Sequence, residues 1–246
     1  MPPSIAECEL THLQREPIDW ALATEQHEQY EAALRSVGCQ VVRLPGQPTQ
    51  PDSVFIEDTA VVVDECAVIA RPGAQSRRGE TPVVADALES YRRLACIEAP
   101  GTLDGGDVLR VGRSIYVGIS SRTNVEGARQ LAATLEPLGY IVKTVVVDDC
   151  LHLKTAASAL GDDHLLINPR MVDGTTFSDI PWIAIDAHEP MAANVIWIDG
   201  SVLCASSATR TRKVLEAHGY RVVPVDASEL AKAEAGLTCC SLLLRV

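Results

Sequence analysis

Residues able to do covalent chemistry recur at one kind of place in this chain. Glu57–Asp58 stand before a first apolar hairpin, Asp104 to Asp107 (DGGD) before a second, His152–Leu153–Lys154 before a third, and Cys239–Cys240 before a last apolar strand. A thiol with an imidazole and carboxylates is the inventory of a nucleophile, a proton carrier and a cation-binding pair. Buried acids are costly unless paired, and Asp58 and Asp104 have no basic neighbour in the sequence. A planar guanidinium, with several N–H donors, fits two such carboxylates through paired hydrogen bonds. Arg77 in RPGAQSRRGE and Arg122 in SRTN fall just after hairpins, on the loop side, where two arginines can clamp a substrate carboxylate.

Each residue taken singly has an ordinary alternative. Asp104 and Asp107 could serve a turn around Gly105–Gly106, His152 could be a satisfied strand histidine, and Cys239 could be a packing residue. The arginines could be solvated surface groups. The shared placement favours chemistry, because unrelated core accidents would not fall at one position of a repeat.

That repeat is legible in the chain. Thr59–Pro72, Asp107–Ser120, Ala156–Pro169 and Asn194–Ser207 each read as apolar strand, polar turn and apolar strand, the last with an Asp199–Gly200 reversal. A helix running into a strand recurs from Leu34, Leu88, Leu135 and Leu215, with Gly38, Gly139 and Gly219 where a helix would end. The third hairpin lacks a clear following helix. Self-similarity with a period of roughly 40 to 50 residues marks a repeat architecture. One domain over residues 1–246 is expected, a ring of α/β modules around a central cavity. A strand from Ser241 to Val246 is expected to close the ring with N-terminal sequence, bringing acid, acid, imidazole and thiol to one mouth.

Composition excludes other classes. The chain is 47% apolar and 22% charged with net charge −12, which suits neither a disordered chain nor a nucleic-acid binder. No apolar run approaches the roughly 20 residues of a membrane span. Eight cysteines without short Cys/His spacings argue against a zinc site and for a reducing compartment. The expectation is therefore a cytoplasmic protein with no nucleic-acid or membrane partner; its oligomeric state is left open.

DSVFIEDTAVV (52–62), RPGAQSRR (71–78), LDGGDVL (103–109), SRTN (121–124), LHLKT (151–155) and GLTCCSLLL (236–244) together resemble, in order and spacing, the motifs of the dimethylarginine dimethylaminohydrolase family. This family belongs to the guanidine-modifying pentein, or amidinotransferase, superfamily. The resemblance implies a pentein five-bladed ββαβ propeller, an α/β fold with pseudo-fivefold symmetry around a central active-site cavity. It implies Cys239 as nucleophile, His152 as general acid and base, and Asp104 as the third catalytic residue. Asp58 would share the guanidinium with Asp104, Glu57 would cap the site, and Asp52 would receive the substrate amino group. Arg77 and Arg122 would hold the substrate carboxylate, and the backbone of Leu13 in THLQ would contact substrate from a lid loop. The loop 231–236 is slightly short, which leaves Ala233 and Glu234 as alternatives for a second contacting carbonyl.

The implied reaction is hydrolysis of an Nω-methylated arginine, a small guanidino amino acid, to citrulline and an alkylamine. No metal and no other cofactor is implied. Two alternatives stand beside it: the same chemistry on arginine or another guanidino acid, and a non-catalytic binding module of the same fold.

Overall fold

The computed structural model describes residues 1–147, 150–177 and 180–245. Its first long element is α1 (Trp20–Ser36), opened by Asp19, whose carboxylate accepts from the N–H groups of Ala21 and Leu22. From residue 60 the chain builds one unit four times. β1 (Ala60–Val62) runs antiparallel to β2 (Cys66–Ile69); α2 (Thr81–Glu89) then crosses back and β3 (Arg93–Cys96) pairs parallel to β2. β4 (Val108–Val111), β5 (Ser114–Ile119), α3 (Val125–Leu135) and β6 (Ile141–Val146) repeat the plan.

The third unit opens with a single helical turn, α4 (Leu153–Ala156), followed by β7 (Ala157–Ala159), β8 (Leu165–Ile167) and β9 (Trp182–Ala184). A 3-10 turn at Gly174–Phe177 stands where its neighbours carry a helix, as the sequence led one to expect. β10 (Ile196–Ile198), β11 (Ser201–Ala205), α5 (Thr209–Ala217) and β12 (Arg221–Val225) make the fourth, and α6 (Ser228–Ala231) follows. All four expected hairpins form. Asp199 and Gly200 both take left-handed backbone, the pairing a two-residue reversal demands. Gly38, Gly139 and Gly219 do so at the expected helix ends.

The middle strands β2, β5, β8 and β11 are almost wholly buried while the outer β3 is not, so each sheet has an inner and an outer edge. Burial passes from unit to unit. Val61, Val68, Val108 and Leu131 form one core between the first and second sheets; Tyr116, Leu153, Leu165 and Phe177 join the second to the third; and Leu166, Ile183, Val202 and Leu215 join the third to the fourth. The fourth packs through Leu203 and Val225 on Tyr30 and Leu34 of α1, and Leu44, Leu242 and Leu244 pack on Ala60, Ile69 and Val84 of the first. The circuit of cores thus returns to its start.

One expectation is corrected. Ser241–Arg245 belong to no strand, and neither do residues 40–44; Val246 lies outside the described residues. Leu44, Leu242 and Leu244 are held by apolar packing on the first sheet, so the segment closes the structure through its side chains rather than through a strand ladder. No helix among the described residues is long and apolar enough to cross a membrane.

Candidate active site

The entries to the hairpins meet. The 3-10 turn Ile56–Thr59 leads into β1, a second at Gly105–Asp107 into β4, α4 into β7, and a third at Thr238–Cys240 into the C-terminal segment. The first turn packs on the second and on Thr238–Cys240, and the second packs on α4. Glycine makes this approach possible. A Cβ on Gly105 would lie 1.9 Å from the carbonyl oxygen of Glu57, and one on Gly106 would lie 2.6 Å from His152 Nδ1 and 2.8 Å from Asp58 Oδ1. Gly106→Ala is therefore expected to push the imidazole aside and lower kcat by about 100-fold, as ångström-scale misplacement does. Steady-state kinetics and circular dichroism on the variant check this.

His152 lies buried at the start of α4, with Nε2 3.1 Å from Asp104 Oδ2 and Nδ1 3.8 Å from Asp58 Oδ1. Asp107 accepts from the Leu153 N–H at 3.0 Å and from the Ser120 hydroxyl at 2.6 Å, so it anchors the turn that carries the imidazole. Burial alone would discharge His152, but Asp58, Asp107 and Asp104 outweigh it and raise the imidazolium pKa to about 9. Burial also opposes charge on Asp58, yet His152 and Arg77 hold that carboxyl below its usual range.

Cys239 Sγ accepts from the Gly236 N–H at 3.3 Å. Burial, with Glu57 and Asp58 nearby, holds this thiol well above its ordinary pKa. Cys239 and His152 are thus each held toward the protonated form, and a cation placed on the carboxylates would favour the thiolate. Glu57 accepts from Lys154 Nζ at 2.6 Å and from the Thr238 hydroxyl at 2.7 Å.

The remaining expected residues fall in two groups. Asp52 accepts from the Glu9 N–H at 3.2 Å. Arg122 donates to the Thr11 hydroxyl at 2.8 Å, and exposed Leu13 belongs to a run, Thr11 to Leu13, whose N–H groups all donate to the Glu234 carboxylate. Glu234 takes a left-handed backbone, φ 58°.

Arg77 departs from expectation. It is buried rather than on the loop side, donating to Asp58 Oδ2 at 2.6 Å, to Glu80 and to the Phe55 carbonyl. The cause is electrostatic. Asp58 and Glu80 are carboxylates shut from water, Glu80 with its pKa lifted by burial to about 7, and the guanidinium three residues before Glu80 compensates both. The base that sequence adjacency did not offer Asp58 arrives from the 3-10 turn Gln75–Glu80. Asp104 likewise has both oxygens engaged, by His152 and by the Gly73 N–H at 2.8 Å.

Ligand atoms of Asp58, Asp104 and His152 also lie within 4.8 Å of one another, close enough for a metal ion. Arg77 on Asp58 and the Gly73 N–H on Asp104 already provide the positive partners that a cation would supply. Sequence reasoning passed over Glu80, Thr238 and Asn194, the last two bonded to each other beside the turn that bears the thiol. Asn194 stood at the entry of the fourth hairpin, and that position was the signal that could have found it.

Fold and site together define a guanidine-modifying enzyme of the pentein, or amidinotransferase, superfamily. Residues 11–176 match the family model of eukaryotic N,N dimethylarginine dimethylhydrolase. The chain is 41% identical to the N(G),N(G)-dimethylarginine dimethylaminohydrolase of Pseudomonas aeruginosa, over 91% of this chain and 89% of that one. It is equally identical to the Streptomyces coelicolor enzyme of that name, over 99% and 94% of the two chains. A solved structure of a cysteine-to-serine variant of the P. aeruginosa enzyme, complexed with citrulline, superposes with a TM-score of 0.93 at 39% identity, covering 97% of this chain and 94% of that one. The chain belongs to the dimethylarginine dimethylaminohydrolase family, and it is a hydrolase by class.

Proposed function

We propose that this protein hydrolyses Nω-methylated arginine, asymmetric dimethylarginine or monomethylarginine, to citrulline and an alkylamine through a covalent intermediate on Cys239. The observation that carries the reading is the meeting of His152, Asp58 and Asp104 from separate units, with the turn that bears the partly buried Cys239 packed on the turn that bears Asp58, in a chain of this family. The substrate guanidinium docks on Asp58, and its positive charge lowers the cost of releasing the Cys239 proton to solvent as the thiolate forms. The thiolate attacks the central guanidinium carbon. The C–N bond to the alkylamine then breaks as His152, protonated at neutral pH, gives that nitrogen its proton, leaving an S-alkylthiouronium. Neutral His152, steadied by Asp104, takes a proton from water, hydroxide adds to the same carbon, and the C–S bond breaks; the departing thiolate takes the hydroxyl proton, which releases the ureido product and restores the thiol.

Asp52, Glu57, Arg77, Arg122 and Leu13 are assigned to substrate contacts in the same proposal, Arg77 by leaving Asp58 when the substrate cation takes its place. One domain spans residues 1–246 in this reading. α1, residues 40–44 and 241–245 form the fifth blade of the propeller, because they complete the circuit of cores. Cys8, Cys39, Cys66, Cys96, Cys204, Cys239 and Cys240 are free thiols, which fits a reducing cytoplasm.

Arginine itself is the second reading. It has one specific support: the guanidinium that meets Asp58 in this structure is the unmethylated one of Arg77. A panel of asymmetric dimethylarginine, monomethylarginine, arginine and agmatine, assayed for ureido product and released amine, decides between them; fastest turnover of arginine would overturn the first reading.

Arg122→Ala is expected to cost about 1.5–3 kcal/mol of transition-state stabilisation, roughly 10- to 150-fold in kcat/KM, on substrates bearing an α-carboxylate. Agmatine, which lacks that group, should lose little. Equal losses on both would mark Arg122 as structural.

A further inference from the structure

Asn194 takes part in no step above, yet it occupies the entry of the fourth hairpin, the place that supplies Asp58, Asp104 and His152 elsewhere. We propose that Asn194 is a positioning residue that holds the Cys239 thiol and its Gly236 N–H donor in register with the imidazole and carboxylates. The inference rests on the reading of Cys239 as nucleophile.

Three hydrogen bonds leave its amide. Nδ2 donates to the Lys154 carbonyl and to Thr238 Oγ1, both at 3.0 Å, and Oδ1 accepts from the Thr238 N–H at 3.0 Å. Lys154 lies two residues past His152, and Thr238 immediately precedes Cys239, so one rigid plane spans the imidazole's helical turn and the thiol's turn. Both donor and acceptor are needed, and a carboxamide offers both where a carboxylate or an apolar group cannot. The Thr238 hydroxyl passes its own hydrogen to Glu57 Oε2, and Glu57 Oε1 accepts from Lys154 Nζ. The bonds therefore close a loop through Asn194, Thr238, Glu57 and Lys154, a network whose members orient one another.

A second, steric contact points the same way. A Cβ on Gly236 would lie 2.3 Å from Cγ and Oδ1 of Asn194, so the amide lies directly on the Gly236 α-carbon. Gly236 presents its N–H to Cys239 Sγ. Glu57, Asp58 and burial all work against a thiolate here, whereas the Gly236 N–H works for it. Asn194 thus sets both the turn that bears the sulfur and the dipole that stabilises its anion.

The test compares Asn194→Ala, Asn194→Asp, Gly236→Ala and the Asn194→Ala/Gly236→Ala double variant. The readouts are kcat and KM for amine release from asymmetric dimethylarginine, the rate at which iodoacetamide alkylates Cys239, and the thermal midpoint. Asn194→Ala is expected to lower kcat about 100-fold with KM changed less than about 3-fold, and to slow alkylation about 10-fold, as loss of alignment would. Asn194→Asp keeps the acceptor, loses both donors and should remain impaired; being isosteric, it serves if the alanine variant does not fold. Gly236→Ala should be impaired alone but add little to Asn194→Ala, because the atom it strikes is gone.

A lowered thermal midpoint with kcat and alkylation near the parent values would overturn the inference, and so would losses that simply add in the double variant. Cys239→Ser, run in parallel, separates the two readings. Turnover in that variant would sink the assigned nucleophile itself, whereas its inactivity leaves the Asn194 data to judge positioning alone.

Discussion

Cys239→Ser is expected to lower turnover by about a thousandfold or more while the protein keeps its secondary structure and thermal midpoint, because a hydroxyl is a far weaker nucleophile at neutral pH. Cys240→Ser should retain most activity. The two neighbours differ by environment rather than chemistry. Cys240 is buried with Tyr30, Leu34 and Leu237, and burial pushes its thiol up to about 12. Cys239 faces the Gly236 N–H and the carboxylates of the site. Amine release measured on both variants checks the assignment. Inactivation by the second substitution alone would place the nucleophile one residue further on, and full activity in both would rule out a cysteine nucleophile at either position.

His152→Gly carries the other large effect, since one imidazole serves both halves of the reaction. With a substrate whose leaving group departs without much help from an acid, the variant should form the thiouronium yet fail to hydrolyse it. Intact-mass measurement after acid quench should then show a stable adduct, mapped by peptides to Cys239, and the Cys239→Ser/His152→Gly double variant should show none. Unmodified protein under conditions where substrate demonstrably binds would argue against covalent catalysis.

The sign of the pH dependence follows from the same residue. The carboxylates around His152 hold its pKa near 9, so the acid form is present through neutral pH and is lost as pH rises through about 9. Amine release from alkylated substrates should fall across that range in the parent enzyme, and the fall should be absent in His152→Gly with a leaving group that needs no proton.

The sequence by itself determined the repeat: four hairpins, their reversal at Asp199–Gly200, the helix ends at Gly38, Gly139 and Gly219, and the missing third helix. It did so because strand alternation, turn chemistry and left-handed glycine act over a few residues. It also marked Asp58, Asp104 and His152 by their shared place before hairpins, since equivalent positions in a repeat converge when the units pack around one point.

Tertiary structure alone decided where each charge finds its partner. That Arg77 would turn inward onto Asp58, that Asp104 would spend an oxygen on the Gly73 N–H, and that Asn194 would join Lys154 to Thr238 are contacts between segments 19 to 44 residues apart. Such pairings arise from the cost of leaving buried polar groups unmatched, and that cost is set by which neighbours the packed units supply. The C-terminal segment followed the same logic, with Leu242 and Leu244 drawn to the apolar first sheet although no strand ladder formed.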